Sequence, residues 1–210
     1  MWQIGYLMSP LETLRRGGTI TDSEFDALYP SWIQELSEMF WTPVGVAQRV
    51  TQFLVDKPGD RVLDVGSGVG KFCFVGAGSS GGVFHGIEQR EELVKVASEL
   101  AAKHPWTPEL TEFRHGNMLD ISWRGYQGIY LFNPFFEQTS GPWCQIDDRV
   151  RYSRKTQKHY IQGALDKLAE TEPGTRIATY FGFGASLPCS YRKIAYERFD
   201  KGPLEVWVKG

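Results

Sequence analysis

Three glycines at alternating positions, Gly66, Gly68 and Gly70, follow the apolar run of residues 62 to 65. A glycine tolerates the backbone conformations of a sharp turn, and it lets a ligand lie directly against the main chain. Asp64 stands two residues before the first of them. This spacing predicts a buried strand that turns tightly into a helix and presents bare backbone to a nucleotide-like ligand.

Two common phosphate-binding glycine motifs do not fit this stretch. A P-loop would need glycine at Val65 and a serine or threonine at Phe72. A dinucleotide fingerprint would need glycine at Lys71 or, if it began at Gly68, at Cys73. The sequence therefore disfavours a nucleoside triphosphatase and a nicotinamide-dependent oxidoreductase.

A carboxylate follows the glycine turn at an informative distance. The next apolar run ends in Gly86, Ile87 and Glu88, eighteen residues beyond Gly70. An acid at the end of a second parallel strand can accept hydrogen bonds from both hydroxyls of a ribose. The alternative role for Glu88 is to cap a helix that begins near Glu91.

The order of these features resembles the class I S-adenosylmethionine-dependent methyltransferases. Asp64-x-Gly66-x-Gly68-x-Gly70 is similar to motif I of that family, and Glu88 stands where the family has its ribose-binding acid. The resemblance implies S-adenosylmethionine as the cofactor and methyl transfer as the activity.

A third strand ends in residues 115 to 120, His-Gly-Asn-Met-Leu-Asp, which are similar to the segment that flanks adenine in the family. The family usually has an acid at the position of Asn117, and an amide oxygen can still accept from the adenine amino group. The resemblance therefore implies adenine contacts from Asn117 and from the backbone of Met118. Thr42, followed by Pro43, either caps a helix or, as the resemblance to some amine methyltransferases implies, lies near the carboxylate of the cofactor.

The fourth strand ends in Asn133, Pro134, Phe135 and Phe136, which resemble the NPPY/F motif of amine methyltransferases with Phe135 in place of the second proline. The Asn133 side chain and the Pro134 carbonyl can accept hydrogen bonds from an N–H group, and aromatic faces favour a nitrogen that becomes cationic. These four are the predicted catalytic residues. The alternative is a simple strand-end turn with phenylalanines in the core.

The predicted activity is therefore N-methylation of a protein side chain or a small molecule by in-line methyl transfer. The alternatives are a catalytically inactive S-adenosylmethionine-binding module and a nucleic-acid N-methyltransferase. The residues predicted to bind the cofactor are Thr42, Asp64, Gly66, Ser67, Gly68, Gly70, Glu88, Asn117, Met118 and Asn133.

The elements that must position these residues alternate between strand and helix, which predicts an α/β fold with a parallel sheet. Strands are predicted near residues 61–65, 83–88, 111–115, 128–132 and 175–181, and helices near 32–40, from 42 onward, 70–77, 91–103 and 153–170. Residues 197–209 have the pattern of a hairpin, with two extended segments around Lys201, Gly202 and Pro203. With the family resemblance, this predicts a Rossmann-like, doubly wound, seven-stranded sheet whose last strand is antiparallel. Residues 1–41 form a predicted N-terminal helical arm, and residues 42–210 form the methyltransferase domain.

The composition is that of an ordinary globular domain, with 210 residues, 41% hydrophobic and 23% charged, and no apolar run long enough for a membrane span. The first residues lack the pattern of a secretory signal, so a cytoplasmic location is expected. Three cysteines and four histidines are scattered without metal-binding spacing, so no metal site is expected.

The net charge of −2 makes a nucleic-acid acceptor less favoured without excluding one. A basic run between Arg149 and Lys158 is either a solvated helix face or a border of the acceptor site that suits an anionic group. The oligomeric state stays open.

Overall fold

The computed structural model describes residues 8–135, 137, 144–147 and 153–210. Its helices are α1 (Pro10–Arg15), α2 (Asp22–Asp26), α3 (Ser31–Phe40), α4 (Val44–Leu54), α5 (Lys71–Ser80), α6 (Glu91–Ala102), α7 (Thr107–Leu110) and α8 (Arg154–Ala169). Its strands are β1 (Arg61–Val65), β2 (Val83–Glu88), β3 (Thr111–His115), β4 (Gly128–Phe132), β5 (Arg176–Tyr180), β6 (Tyr191–Arg198) and β7 (Pro203–Lys209).

The seven strands form one sheet in the order β3-β2-β1-β4-β5-β7-β6. Strands β1 to β5 pair in parallel, whereas β7 is antiparallel to both β5 and β6. This confirms the predicted Rossmann-like fold with its antiparallel last strand. The strand order reverses between β1 and β4, and ligands of open α/β sheets bind outside the carboxyl ends of the strands at such a point.

The central strands are apolar because both faces of the sheet are covered. Side chains alternate between the two faces along a strand, so Val62 joins the cluster that contains α4 and α5, and Leu63 joins the cluster on the opposite face. On that opposite face, Ala164 and Leu168 of α8 are fully buried. The sheet therefore holds the carboxyl ends of β1, β2 and β4 rigidly along one edge.

The described part of the N-terminal arm shares its core with the rest of the chain. Leu11, Phe25 and Ile33 are fully buried, and each such side chain contributes about 1.5–3 kcal/mol by burial. A methyl group added at Gly78 of α5 would lie 3.1 Å from the Cβ of Leu14. The division of the chain at residue 41 stays a prediction, but α1 to α3 pack as a part of this core.

One boundary differs from the sequence prediction at the start of α4. The helix begins at Val44, with Pro43 as its N-cap and without a side-chain cap. The Val44 N–H donates instead to Oδ1 of Asp22, at 2.9 Å. The Thr42 hydroxyl makes a buried 2.9 Å hydrogen bond with the Tyr130 hydroxyl, so the predicted capping role of Thr42 is wrong. In the described ranges, no helix combines the length and the apolar character that crossing a bilayer requires.

Candidate functional site

A cavity of about 300 Å³ opens at the carboxyl edge of the sheet, where β1 lies between β2 and β4. Eight of the predicted site residues line it: Gly66, Gly68, Glu88, Asn117, Met118, Asn133, Pro134 and Phe135. They come from four separate strand ends. The cavity lies within the lower part of the size range of small-molecule sites.

The glycine turn is held against the end of β2 by its backbone. The N–H groups of Gly66 and Ser67 both donate to the carbonyl of Ile87, at 2.9 and 3.1 Å. Gly68 has a φ of 54°, and a Cβ added there would lie 2.5 Å from the ring of Trp41. Glycine is therefore required at position 68 both for its backbone conformation and for the close approach of an indole.

Glu88 lies across the turn and is 5% exposed. One of its oxygens accepts from the Gly68 N–H at 3.0 Å, and the other accepts from the Arg90 N–H at 2.9 Å. Desolvation raises the pKa of Glu88, and the two backbone hydrogen bonds and the charge of Arg90 oppose that shift. Each carboxylate oxygen has a second lone pair. Glu88 can therefore accept hydrogen bonds from the two hydroxyls of a ribose in the cavity.

Arg90 connects Glu88 to the chain that follows β4. Its guanidinium binds both carboxylate oxygens of Glu137, at 3.1 and 2.8 Å, and Oδ2 of Asp147, at 3.1 Å. The Ile146 N–H donates to the Glu137 carboxylate at 2.9 Å. This nearly buried network places Glu137 and Ile146 in the cavity wall. The sequence analysis missed it, because a lone arginine and two distant acids carry no local pattern.

Asn117 and Met118, the residues predicted to contact adenine, both line the cavity. The Asn117 side chain caps a 3-10 helix, Met118–Asp120, by accepting from the Leu119 N–H at 2.9 Å. Its amide nitrogen donates to the Tyr160 hydroxyl at 3.0 Å. The amide is thereby held in one orientation, and its oxygen keeps one lone pair for a ligand.

Asn133 follows β4 with a φ of 35°, and its N–H donates to the carbonyl of Tyr180 at 3.1 Å. Asparagine tolerates this left-handed region better than most residues. Phe135 is 4% exposed and stacks on Tyr160, with ring centroids 6.1 Å apart. It belongs to the core and also lines the cavity, and its catalytic role stays a prediction. Phe136 lies outside the described residues.

Four predicted cofactor residues do not line the cavity. Thr42 binds Tyr130, as described above, and Gly70 packs so closely on Phe113 that an added Cβ would lie 2.4 Å from its ring. Asp64 accepts a hydrogen bond from the Cys73 thiol at 3.4 Å, and burial raises its pKa to about 7. The Ser67 hydroxyl is buried and has no hydrogen-bond partner among the described residues. These four residues therefore lie outside the wall of the cavity.

Lys71, which follows the last glycine of the turn, binds the N-terminal arm. Lys71 is 2% exposed, and its ammonium lies 2.7 Å from an oxygen of Asp22 and 2.7 Å from an oxygen of Asp26. The Tyr29 hydroxyl donates to the Val69 carbonyl at 2.9 Å. The arm thus closes over the glycine turn.

The arm also supplies part of the cavity wall, which the sequence analysis missed: Glu38, Met39, Phe40 and Trp41. The Trp41 indole N–H donates to the Ile33 carbonyl at 3.0 Å, which fixes the ring against Gly68. Trp41 directly precedes Thr42 and Pro43 in the sequence. No local pattern marks Trp41 in the sequence, because its contact with Gly68 joins residues 27 positions apart.

Residues 56–129 match a family model described as a methyltransferase domain. This region contains the glycine turn, Glu88 and Asn117. The cavity also fits S-adenosylmethionine chemically, because a buried acid ends β2 and bare backbone faces the cavity at Gly66. The seven-stranded sheet has the Rossmann-like fold of the class I methyltransferases, and residues 56–129 resemble a methyltransferase domain.

A curated relative is the 23S rRNA (uracil(1939)-C(5))-methyltransferase RlmD of Chromobacterium violaceum, which is 31% identical over 85 residues. That match covers 40% of this chain, and the chain spans 16% of the length of the relative.

Two solved structures share the fold. An RNA methyltransferase from Salinibacter ruber in complex with S-adenosylhomocysteine has 18% identity and a TM-score of 0.57, over 80% of this chain and 92% of that one. The magnesium protoporphyrin IX methyltransferase from Synechocystis PCC 6803 with bound S-adenosylmethionine has 14% identity and a TM-score of 0.57, over 92% and 86%. Since this fold serves such different acceptors, it does not identify the acceptor of this chain.

Proposed function

We propose that this protein transfers the methyl group of S-adenosylmethionine to a nitrogen atom of a small molecule or a protein side chain. The observation that carries the proposal is that Asn133, Pro134 and Phe135 line the same cavity as Gly66 and Glu88. Polar acceptors for an N–H group and an aromatic surface therefore lie beside the cofactor site.

In this proposal, six lining residues hold the cofactor. Glu88 accepts from the ribose hydroxyls, Asn117 and the Met118 backbone contact adenine, and Gly66, Gly68 and Asn133 face the methionine part. The other four predicted residues lie outside the cavity wall: Thr42, Asp64, Ser67 and Gly70. In this proposal they support the glycine turn without contacting the cofactor.

Bound S-adenosylmethionine supplies an electrophilic methyl group: an N–C bond forms as the S–C bond breaks, and the electron pair of that bond stays on sulfur. The protein needs to hold the neutral nitrogen in line with that bond. Asn133 and the Pro134 carbonyl accept the N–H hydrogens, so the lone pair of the nitrogen stays directed at the methyl group. Phe135 stabilises the positive charge that develops on nitrogen, and the excess proton passes to solvent.

A second candidate acceptor is a nitrogen of an RNA base. It is favoured by the exposed basic side chains of Arg154, Lys155 and Lys158 on α8, because Tyr160 of the same helix lines the cavity. Two proteins named as RNA methyltransferases support RNA as the class of acceptor, although the name of one of them specifies transfer to carbon C5 of uracil. Arg149 and Arg151 of the predicted basic run lie outside the described residues.

Methyl-labelled S-adenosylmethionine tests the proposal when it is incubated with the protein and fractionated cell extract. Label in small molecules or in protease-sensitive material supports the primary proposal, and label in nuclease-sensitive material supports RNA. An Asn133→Ala variant should lose at least about tenfold in turnover when S-adenosylmethionine is saturating, because a positioning hydrogen bond is lost. Tight cofactor binding without label in any fraction would show an inactive binding module.

A further inference from the structure

A second cavity, of about 600 Å³, adjoins the cofactor cavity. It lies between α2 and α3 of the arm, the start of α4, and the hairpin turn that joins β6 to β7. Glu38, Trp41 and Lys201 line both cavities. A molecule that reaches the methyl group can therefore also occupy this second cavity, which we call the acidic groove.

The acidic groove carries an excess of carboxylates. Asp22, Asp26, Glu38 and Asp200 line it. Among the described residues, two ammonium groups only partly offset these four carboxylates: Lys71 is buried against Asp22 and Asp26, and Lys201, which lines the groove, donates to the Glu38 carbonyl at 2.7 Å. The groove therefore attracts a cation and repels a phosphate group.

The floor of the acidic groove contains an unpartnered polar group. Tyr180 lines the groove and is 0% exposed, and its hydroxyl has no hydrogen-bond partner among the described residues. Burial and the charge of Asp200 raise the pKa of Tyr180, so the hydroxyl stays protonated at neutral pH. Buried hydroxyls are nearly always hydrogen-bonded in native proteins. Such an orphan indicates that a ligand completes the site.

Aromatic rings line the same groove. Phe199 meets the Tyr180 ring edge to face, with centroids 6.3 Å apart. Trp41 lies on the side of the groove shared with the cofactor cavity. Aromatic faces beside carboxylates are a combination that stabilises an alkylammonium ion.

We propose that the acidic groove binds a protonated alkylamine group of the methyl acceptor, with an ammonium N–H donating to the Tyr180 hydroxyl oxygen. The nitrogen that receives the methyl group must be neutral. The acceptor therefore carries at least two amine nitrogens, one in the groove and one beside Asn133. This inference rests on the proposed N-methyl transfer for the position of the reacting nitrogen, whereas binding in the groove is measurable by itself.

Calorimetric titration of the full chain, saturated with S-adenosylhomocysteine, tests the proposal with cadaverine as the probe. The diol of the same length is the uncharged control probe, and it should not bind detectably. Tyr180→Phe should weaken cadaverine about tenfold, since a hydrogen bond to a charged group is lost. The variant should keep its thermal stability, because the hydroxyl that it removes has no partner.

Asp200→Asn should weaken cadaverine as well, whereas Glu170→Gln, at the far end of α8, is the matched charge control and should leave the affinity unchanged. Equal cadaverine affinity in the native protein, Tyr180→Phe and Asp200→Asn would overturn the proposal, as would tighter binding of adenosine monophosphate than of cadaverine. Groove binding with these variant effects, but without methyl transfer to any amine, would support the groove and contradict the proposed function.

Discussion

The ammonium of Lys71 lies 2.7 Å from Oδ1 of Asp26, and the two side chains are only 2% and 12% exposed. Ser37 completes the cluster by donating to the other oxygen of Asp26 at 2.5 Å. Lys71 follows Gly70 directly, whereas Asp26 and Ser37 belong to the arm. A buried ion pair thus joins the glycine turn to the helices of the N-terminal arm.

Replacing Lys71 by methionine should strongly destabilise the protein. The change keeps the length of the side chain and leaves Asp26 as a buried carboxylate without its cation, which costs about 3–5 kcal/mol. Urea unfolding measures the loss. Lys95→Met is the control, because that lysine is 74% exposed and its pair with Glu99 spans 3.9 Å. A loss for Lys71→Met no larger than that of the control would contradict the role assigned to this pair.

Replacing Glu88 by glutamine should weaken cofactor binding. A glutamine offers one acceptor oxygen where the carboxylate offers two, and one hydrogen bond to a charged group contributes about 1.5–3 kcal/mol. The dissociation constant for S-adenosylhomocysteine should rise by at least about tenfold, as measured by calorimetry. Glu91→Gln, at an exposed position in the first turn of α6, should leave it unchanged. Equal affinity in the two variants would rule out ribose binding by Glu88.

Alanine at Gly68 should destabilise the turn for two separable reasons. The added methyl meets the Trp41 ring at 2.5 Å, and the φ of 54° disfavours a side chain. Together they should cost about 2–4 kcal/mol. Gly174→Ala isolates the backbone effect, because its φ is 87° and a Cβ there meets nothing within 4 Å. Urea unfolding should show a clearly larger loss for Gly68→Ala, and equal losses would contradict a clash with Trp41.

The contribution of Asp64 to the stability of the protein should fall as pH rises. Its pKa is raised from 3.8 to about 7, mainly by burial. Between these two pH values, the folded state therefore keeps a proton on Asp64 that the unfolded state has released. The stabilisation is complete below the ordinary aspartate pKa of 3.8 and is lost as pH rises toward about 7.

Asp64→Asn keeps the shape of the side chain and removes this titration. The unfolding free energy of the native protein, relative to Asp64→Asn, should therefore decrease between roughly pH 4 and pH 7, by up to about 1.4 kcal/mol per pH unit. Asp120→Asn, at an exposed position, serves as the control. A relative stability that stays constant or increases over this range would contradict the raised pKa.

The sequence by itself determined the succession of strands and helices along the chain, the glycine turn and the group of candidate ligand-binding positions at strand ends. These features follow from local rules. Hydrophobic runs and glycine spacing identify each element, and parallel connections bring the carboxyl ends of the strands to one edge. For this reason Gly66, Glu88, Asn117 and Asn133 were predicted at separate positions and meet in one cavity.

Only the tertiary structure determined which distant side chains contact the residues of these elements. Lys71 pairs with Asp26, 45 residues earlier, and Trp41 packs on Gly68. Asp64 faces Cys73 away from the cavity, and Tyr180 lies in an acidic groove with residues of the arm. None of these contacts has a local signature, because a side chain's partner depends on how distant elements pack, whereas its secondary structure depends mainly on its neighbours in sequence.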